Sequence, residues 1–126
     1  MKEIILTQAA PAPVGPYSQA VRAGGWLYVS GQVPIDPQTG SMVEPDIRLQ
    51  TRRVLDNLAA VLEAGGAALA DVVKVTVFMT ELSQFSAMNE VFSEYFGDAP
   101  PARACIEAAA LPKDSLVEIE CIACVD

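Results

Sequence analysis

The fold is decided near the end of this chain, by Pro101-Ala102-Arg103-Ala104-Cys105-Ile106-Glu107 and, beyond a short connection, by Val117-Glu118-Ile119-Glu120. Both segments alternate in character, and successive residues of a β-strand point to opposite faces of the sheet. Each segment therefore predicts a strand with a charged face and an apolar face. We expect the two strands to pair as a hairpin, with the charged faces matched, so that Arg103 lies across from Glu118 or Glu120.

Upstream of these strands, the spacing of apolar residues and turn residues predicts six further elements. They are an edge strand at 4–6, a hairpin of 17–23 and 26–32 that turns at Gly24-Gly25, a helix between Asp46 and Gly65-Gly66, a strand at 71–80, and a helix that Ser83 caps and Gly97 ends. We predict a single domain over residues 1–126. Its fold is an α+β two-layer sandwich, in which two helices cover one face of a mixed sheet of five or six strands.

The face of this sheet that the helices leave open is expected to be partly apolar. It would carry Phe78 and Ile122 beside Arg103, Cys105 and Glu118. A soluble monomer rarely leaves such a patch uncovered, so we expect copies of the chain to cover it for one another. The pattern does not give the number of copies.

Composition argues against several classes of function. The formal net charge is −8, which disfavours a surface for nucleic acid or anionic membrane, because phosphate binding needs clustered Lys and Arg. The chain has no histidine, which excludes Ser-His-Asp and Cys-His catalysis and any metal site with histidine ligands. No apolar run is long enough to span a bilayer, and Ile4-Ile5-Leu6 is too short for a signal peptide. We expect a cytoplasmic protein.

The three cysteines do not indicate a disulfide framework, because their number is odd. Cys121 and Cys124 have the spacing of a redox or zinc motif. They fall in a predicted strand, however, where residues three apart point to opposite faces. We interpret them as a reduced structural pair.

Several motifs together resemble the Rid (YjgF-like) family of enamine/imine deaminases, in the same order and at matching separations over essentially the whole chain. They are Gly15-Pro16-Tyr17-Ser18-Gln19, Ser30-Gly31-Gln32, Lys74-Val75-Thr76-Val77-Phe78, Pro101-Ala102-Arg103 with Cys105, Leu111-Pro112-Lys113-Asp114 and Glu118-Ile119-Glu120. The resemblance implies a homotrimer of the chorismate-mutase-like arrangement, with active sites between subunits. It implies no metal and no organic cofactor.

The resemblance assigns the chemistry to two residues. The arginine that matches Arg103 binds the substrate carboxylate, which a guanidinium can hold through two parallel hydrogen bonds. The glutamate that matches Glu118 positions or activates water. From the residues alone, a structural ion pair of Arg103 with Glu118 or Glu120 is about as well supported as a role of Arg103 in binding a ligand. Glu120 ranks below Glu118, because the family motif places the acid at the first position.

Five further residues match positions in the family's substrate cleft. They are Tyr17, Ser30, Gly31, Asn89 and Cys105. Tyr17 would close the pocket or bond the ligand, and Ser30 with Gly31 would allow close approach of the backbone. Asn89 fits an exposed helix position equally well. We interpret Cys105 as a thiol that lines the pocket and not as a nucleophile, because no partner that would activate it is visible.

The resemblance implies hydrolysis of reactive enamines and imines, such as 2-aminoacrylate and 2-iminopropanoate or 2-iminobutanoate, to 2-oxo acids and ammonia. The alternative is a binding module for 2-oxo acids or a chaperone-like interaction protein, for which Glu118 would be dispensable. Cleavage of RNA fits poorly, because the chain is acidic and lacks the histidine expected for that chemistry.

Overall fold

Six strands form one mixed sheet, and two helices pack on one of its faces, in the computed structural model, which describes residues 1–125. The strands are β1 Lys2–Ile5, β2 Ala20–Ala23, β3 Trp26–Gln32, β4 Val72–Met79, β5 Ala102–Glu107 and β6 Val117–Cys124. The helices are α1 Ile47–Ala64 and α2 Phe85–Phe96. The predicted α+β sandwich is confirmed, with the larger of the two predicted strand counts.

The sheet order is β1-β2-β3-β6-β4-β5, so β4 lies between the last two strands of the chain. The predicted pairing of β5 with β6 as a hairpin is therefore wrong. Strand β4 pairs with β5 in parallel, across the α2 connection, and with β6 antiparallel. The physical reason is burial, because Val75, Val77 and Met79 of β4 are all 0% exposed and need neighbours on both sides.

This order also changes the face on which Arg103 lies. Arg103 and Cys121 both pair with Val75, whose side chain points into the core under the helices. Glu118 pairs with Phe78 on the opposite, open face. Arg103 and Cys105 were expected beside Glu118 on that face, and this expectation is wrong. The alternation within each strand was predicted correctly, but the match between the strands was not.

Helix α1 begins and ends where the sequence predicts. The Oδ1 atom of Asp46 accepts hydrogen bonds from the backbone N–H of Arg48 at 2.9 Å and of Leu49 at 3.0 Å, which are two donors that the first turn cannot satisfy internally. Gly65 follows the last turn as its C-cap. The apolar side of the helix fills the core over the sheet with Val54, Leu55, Leu58, Val61 and Leu62.

Helix α2 begins later than predicted, and Ser83 does not cap it. Residues Leu82–Gln84 form a 3₁₀ turn, and the helix starts at Phe85 without a capping side chain. A carboxylate from β5 acts there instead, because Glu107 Oε1 accepts the Leu82 N–H at 2.9 Å. That contact is long-range, so local sequence could not reveal it. The predicted end at Gly97 is confirmed.

The open face of the sheet keeps large apolar side chains in contact with solvent. Trp26, Tyr28 and Ile106 are 45%, 47% and 46% exposed. Val73 of β4 is also exposed, because an irregularity of register between Val72 and Lys74 turns Val72 inward in its place. The uncovered apolar face that the sequence indicated is therefore present.

No helix within residues 1–125 is both long enough and apolar enough to cross a membrane.

A buried asparagine fastens α1 to the segment that leaves β3. The Nδ2 atom of Asn57 donates to the carbonyl oxygens of Val33 at 3.1 Å and Ile35 at 2.9 Å, and its Oδ1 atom accepts from Arg53 Nε at 3.1 Å. The residue is fully buried. Since water cannot reach these carbonyls easily, the amide is the group that satisfies them.

Replacing Asn57 with leucine should lower the free energy of unfolding by about 2–4 kcal/mol, because two carbonyls lose their donor while the volume is kept. Urea unfolding at one fixed protein concentration would measure the loss. The matched control is Gln38→Leu, which removes an exposed amide from the neighbouring turn and should change stability little. Equal stability of the two variants would contradict a structural role for the Asn57 bonds.

Candidate functional site

The predicted site residues lie in two groups on one chain. Tyr17, Ser30, Gly31 and Glu118 line a cavity of about 420 Å³, which we call the carboxylate pocket. Asn89 and Arg103 line a second cavity of about 460 Å³ beside α2, which we call the arginine pocket.

The carboxylate pocket depends on close contact between β3 and β6. A Cβ atom at Gly31 would lie 2.9 Å from Glu118 Cδ and nearer still to Oε2. A side chain at position 31 would therefore displace the carboxylate. Gly31 leaves room for the Glu118 carboxylate by its lack of a side chain.

Ser30 holds the wall of this pocket through its hydroxyl group. Its Oγ atom donates to the Ser18 carbonyl at 2.6 Å, and its backbone N–H donates to the Gln19 carbonyl at 2.9 Å. The loop that these bonds hold carries Tyr17, which is 50% exposed at the mouth of the cavity.

Glu118 is half-buried, and burial raises the pKa of its carboxyl group. The negative charge of Glu120, two residues along the same strand face, raises that pKa further. Lys113 and Tyr17 also line the pocket. Because the charged form of Glu118 is disfavoured, this carboxyl group takes up a proton more readily than an exposed glutamate does. Such a group is suited to moving a proton to or from a bound molecule.

The arginine pocket presents a guanidinium group stacked on two aromatic rings. Arg103 Cζ lies 4.7 Å from the centroid of the Phe92 ring and 5.4 Å from that of Phe85. Within residues 1–125 Arg103 forms no ion pair, so the pairing with Glu118 or Glu120 that the sequence left open does not occur in this chain. Stacking fixes the plane of the group and leaves its N–H edge for a planar anion.

Asn89 provides a second polar group beside Arg103. Its Oδ1 atom is buried and has no hydrogen-bond partner within the described part of the chain. Buried polar atoms are nearly always bonded, so an unpartnered one in a cavity indicates a place where another molecule binds. This favours the ligand interpretation of Asn89 over that of an ordinary exposed helix residue.

Cys105 follows Arg103 on the same face of β5 and is half-buried. Its Sγ atom lies 3.8 Å from Met79 Sδ. Burial raises the pKa of the Cys105 thiol, and the nearby charge of Arg103 offsets this only in part. A thiol that holds its proton is a poor nucleophile, as expected from the sequence. Cys105 is not among the residues that line either cavity of the single chain, so its lining role stays a prediction.

The other two cysteines lie as the sequence predicted. Cys121 is buried under the helices, where burial raises its pKa to about 12, and Cys124 lies on the opposite face; both are free. Among residues 1–125 no three acidic or cysteine side chains are grouped to hold a metal ion.

Sequence reasoning missed the aromatic platform and part of the carboxylate pocket. The pattern did not show that the rings of Phe85 and Phe92, which lie seven residues apart and so share one side of α2, would support Arg103. Phe92 is also buried in the core, whereas Phe85 is 37% exposed. Lys113 belongs to a recognised turn motif, but only the structure shows that it lines the pocket, on a backbone with a φ of 54°. Since the partners come from distant segments, periodicity alone could not join them.

One chain does not bring Arg103 and Glu118 to the same cavity. Arg103 extends from edge strand β5 toward α2, whereas Glu118 extends from β6 on the open side of the sheet. The sheet itself separates the two groups. A ligand that contacts both must lie between the arginine pocket of one chain and the carboxylate pocket of another.

Comparison with known proteins places this geometry in a family. Residues 7–125 match the family model described as Endoribonuclease L-PSP. A RutC family protein from Pyrococcus horikoshii is 56% identical over 123 residues, which is 98% of each chain. A crystal structure from Yersinia pestis, described as a protein of unknown function of the conserved Rid protein family, superposes with a TM-score of 0.96 at 48% identity and covers 99% of this chain and 100% of its own.

The Escherichia coli protein named "Putative reactive intermediate deaminase TdcF" is 44% identical, in an alignment that covers 98% of this chain and 97% of TdcF. A crystal structure of TdcF with bound serine has a TM-score of 0.94 at 42% identity, and the match covers 98% of this chain and 99% of that one. On these matches over nearly its whole length, the chain belongs to the Rid (YjgF-like) family, whose model carries the description Endoribonuclease L-PSP.

Proposed function

We propose that the protein hydrolyses reactive enamine/imine intermediates to 2-oxo acids and ammonia. Examples are 2-aminoacrylate, 2-iminopropanoate and 2-iminobutanoate. The observation that carries the proposal is the stacked, unpaired guanidinium of Arg103 beside the orphaned Oδ1 atom of Asn89. The name of TdcF supports the reaction class, and serine bound to TdcF supports a small molecule with carboxylate and amino groups.

The active site we propose lies between two copies of the chain. Strand β5 is an edge strand, so the arginine pocket lies at the rim of the subunit. The open face that carries Glu118 is apolar and uncovered. A contact that joins the rim of one copy to the open face of the next is heterologous, and such contacts form a ring when the rotation between copies closes. The homotrimer implied by the family resemblance is such a ring with three sites.

In the reaction, Arg103 holds the substrate carboxylate through two parallel hydrogen bonds and so fixes the imine carbon near Glu118. Water attacks that carbon while Glu118 accepts one of its protons. The same carboxyl group then returns the proton to nitrogen. The product of this addition is a carbinolamine. Glu118 then transfers the hydroxyl proton of the carbinolamine to nitrogen, the C–N bond breaks, the C–O bond becomes the carbonyl of the 2-oxo acid, and ammonia leaves. No electron is transferred to or from another molecule.

The rival function is a binding module for 2-oxo acids or a chaperone-like protein, which would use the same Arg103 pocket without needing Glu118. Cleavage of RNA, which the description of the family model raises, remains poorly supported, because the chain carries a net charge of −8 and no histidine. The cytoplasmic location expected from the sequence stays a prediction.

We expect light scattering at micromolar concentration to give three times the mass of one chain. A stable monomer would contradict the interface, since neither pocket then has its partner.

Sites shared between copies should allow two inactive variants to rescue one another. Arg103→Ala and Glu118→Gln should each assemble but hydrolyse imines poorly. When the two are unfolded, mixed in equal amounts and refolded together, about one interface in four combines an intact Arg103 with an intact Glu118. Activity should therefore return to about a quarter of the wild-type level. Each variant refolded alone is the control, and no recovery in the mixture would place both residues in one subunit's site.

The two residues should fail in different ways. Arg103→Ala should weaken pyruvate binding and cost about 2–4 kcal/mol of transition-state stabilisation, because the substrate carboxylate loses the two N–H donors of the guanidinium group. Arg103→Lys should restore only part of the binding and activity that Arg103→Ala loses, since an ammonium group cannot make two parallel hydrogen bonds. Glu118→Gln should keep pyruvate binding and lower kcat. Calorimetry and ammonia release would separate these effects. Wild-type turnover by Glu118→Gln would favour the binding module.

Cys105→Ser should keep most of the activity, because the raised pKa of the thiol leaves little thiolate for a covalent step. Ammonia release by the purified trimer would measure it. Loss of turnover in a variant that still forms the trimer would refute the non-covalent mechanism.

A further inference from the structure

One wall of the carboxylate pocket is a proline-rich loop that can form few backbone hydrogen bonds of its own. The loop runs from Thr7 to Pro16 and lines the pocket with Pro11, Ala12 and Val14. Prolines at 11, 13 and 16 have no N–H donor, so the loop cannot build a ladder of backbone hydrogen bonds. Its position must be fixed from outside.

Beside the packing of Ala10 in the core, a buried side chain supplies hydrogen bonds that support the loop. Gln19 is 1% exposed, and its Oε1 atom accepts the Thr7 N–H at 2.7 Å. Its Nε2 atom donates to the carbonyl oxygens of Thr7 at 3.0 Å and Pro11 at 2.9 Å, with the Ala10 carbonyl at 3.4 Å. Gln19 thus joins both ends of the segment 7–11.

The same residue also connects the loop to β3. The backbone carbonyl of Gln19 accepts the Ser30 N–H at 2.9 Å, and Ser30 precedes Gly31, against which Glu118 packs. A shift of Gln19 would therefore displace both the loop and the β3 residues that line the pocket.

Gln19 borders the pocket, yet its side chain is already committed. An amide nitrogen has two hydrogens, and here three carbonyl oxygens surround it. No donor remains for a ligand. Its influence on a bound molecule must therefore pass through the loop that it holds.

The wall that it holds is apolar. Pro11, Ala12 and Val14 line the same cavity as Val33 and Ile35. An apolar wall contacts the hydrocarbon part of a substrate and discriminates by size.

We propose that Gln19 is a positioning residue that fixes the 7–16 loop as the wall against which the side chain of the imino acid packs, and so sets the limit on the length of that side chain. The proposal rests on the proposed function for the identity of the substrate. It does not require Gln19 to touch the substrate.

The first test is hydrogen exchange of the loop amides. Gln19→Glu keeps the shape but replaces the donor with a carboxylate that faces three carbonyl oxygens. Backbone exchange in residues 7–14 should speed up by about tenfold or more, as expected when a local segment opens more easily. The control is Gln8→Glu, which adds the same charge to an exposed position of the same loop and should leave exchange unchanged.

The second test is selectivity. The ratio of kcat/KM for 2-iminopropanoate to that for the imino acid derived from leucine should fall about tenfold in Gln19→Glu and stay at the wild-type value in Gln8→Glu, because a mobile wall excludes large side chains less well. Gln19→Asn, which keeps the amide but shortens it, should give an intermediate ratio and serves if Gln19→Glu does not assemble. An unchanged ratio, or unchanged exchange, would overturn the proposal.

Binding separates this proposal from the proposed function. Calorimetry with pyruvate and 4-methyl-2-oxopentanoate measures the same size discrimination without turnover. If wild type releases no ammonia while Gln19→Glu still loses discrimination between these acids, the deaminase function fails and the role of Gln19 stands. If wild type releases ammonia while neither ratio responds to Gln19→Glu, the role of Gln19 fails alone.

Discussion

The pairing of β4 with β5 on one side and β6 on the other determines on which face of the sheet Arg103, Cys105 and Glu118 lie. Val75 pairs with both Arg103 and Cys121, and because paired residues share a face, Arg103 is carried to the side under the helices. Phe78 pairs with Glu118 and carries it to the other side. A slip of one residue in either register would reverse these positions. The buried apolar face of β4 opposes such a slip, since a slip would expose it.

A chain arranged in this way does not neutralise its own site. Had β5 and β6 formed a hairpin, Arg103 and a glutamate would have faced each other and closed an ion pair. In the observed sheet the guanidinium rests on aromatic rings, and Glu118 shares a pocket with a second carboxylate, so that both groups stay available for another molecule. Stacking and burial thus take the place of charge pairing. The cost in stability of leaving charges unpaired is a common feature of functional sites.

Much of what could be predicted from the sequence depends on short-range backbone geometry. The alternation of faces along β5 and β6, the cap at Asp46, the turn at Gly24-Gly25 and the end at Gly97 all follow from short-range geometry, and the structure confirms them. The order of the strands does not follow, because alternation fixes the face of a residue within its strand but not the neighbour across from it. The start of α2 was missed for a related reason, since its tether, Glu107, lies 25 residues from Leu82. The site was therefore foreseen as a set of residues and not as a geometry.

The position of β6 has a consequence for how the molecule forms. It is the last strand of the described chain, yet it lies between β3 and β4, near the middle of the sheet. Until β6 pairs with them, the β1–β3 meander and the β4–α2–β5 unit are two half-sheets whose strand edges are unpaired on either side of a gap. Contacts across that gap join residues nearly a hundred positions apart, such as Trp26 and Cys124, and folds dominated by such contacts form slowly. During synthesis both half-sheets keep unpaired edges until β6 has been made, and only when β6 pairs with them does the core close and Glu118 reach Gly31.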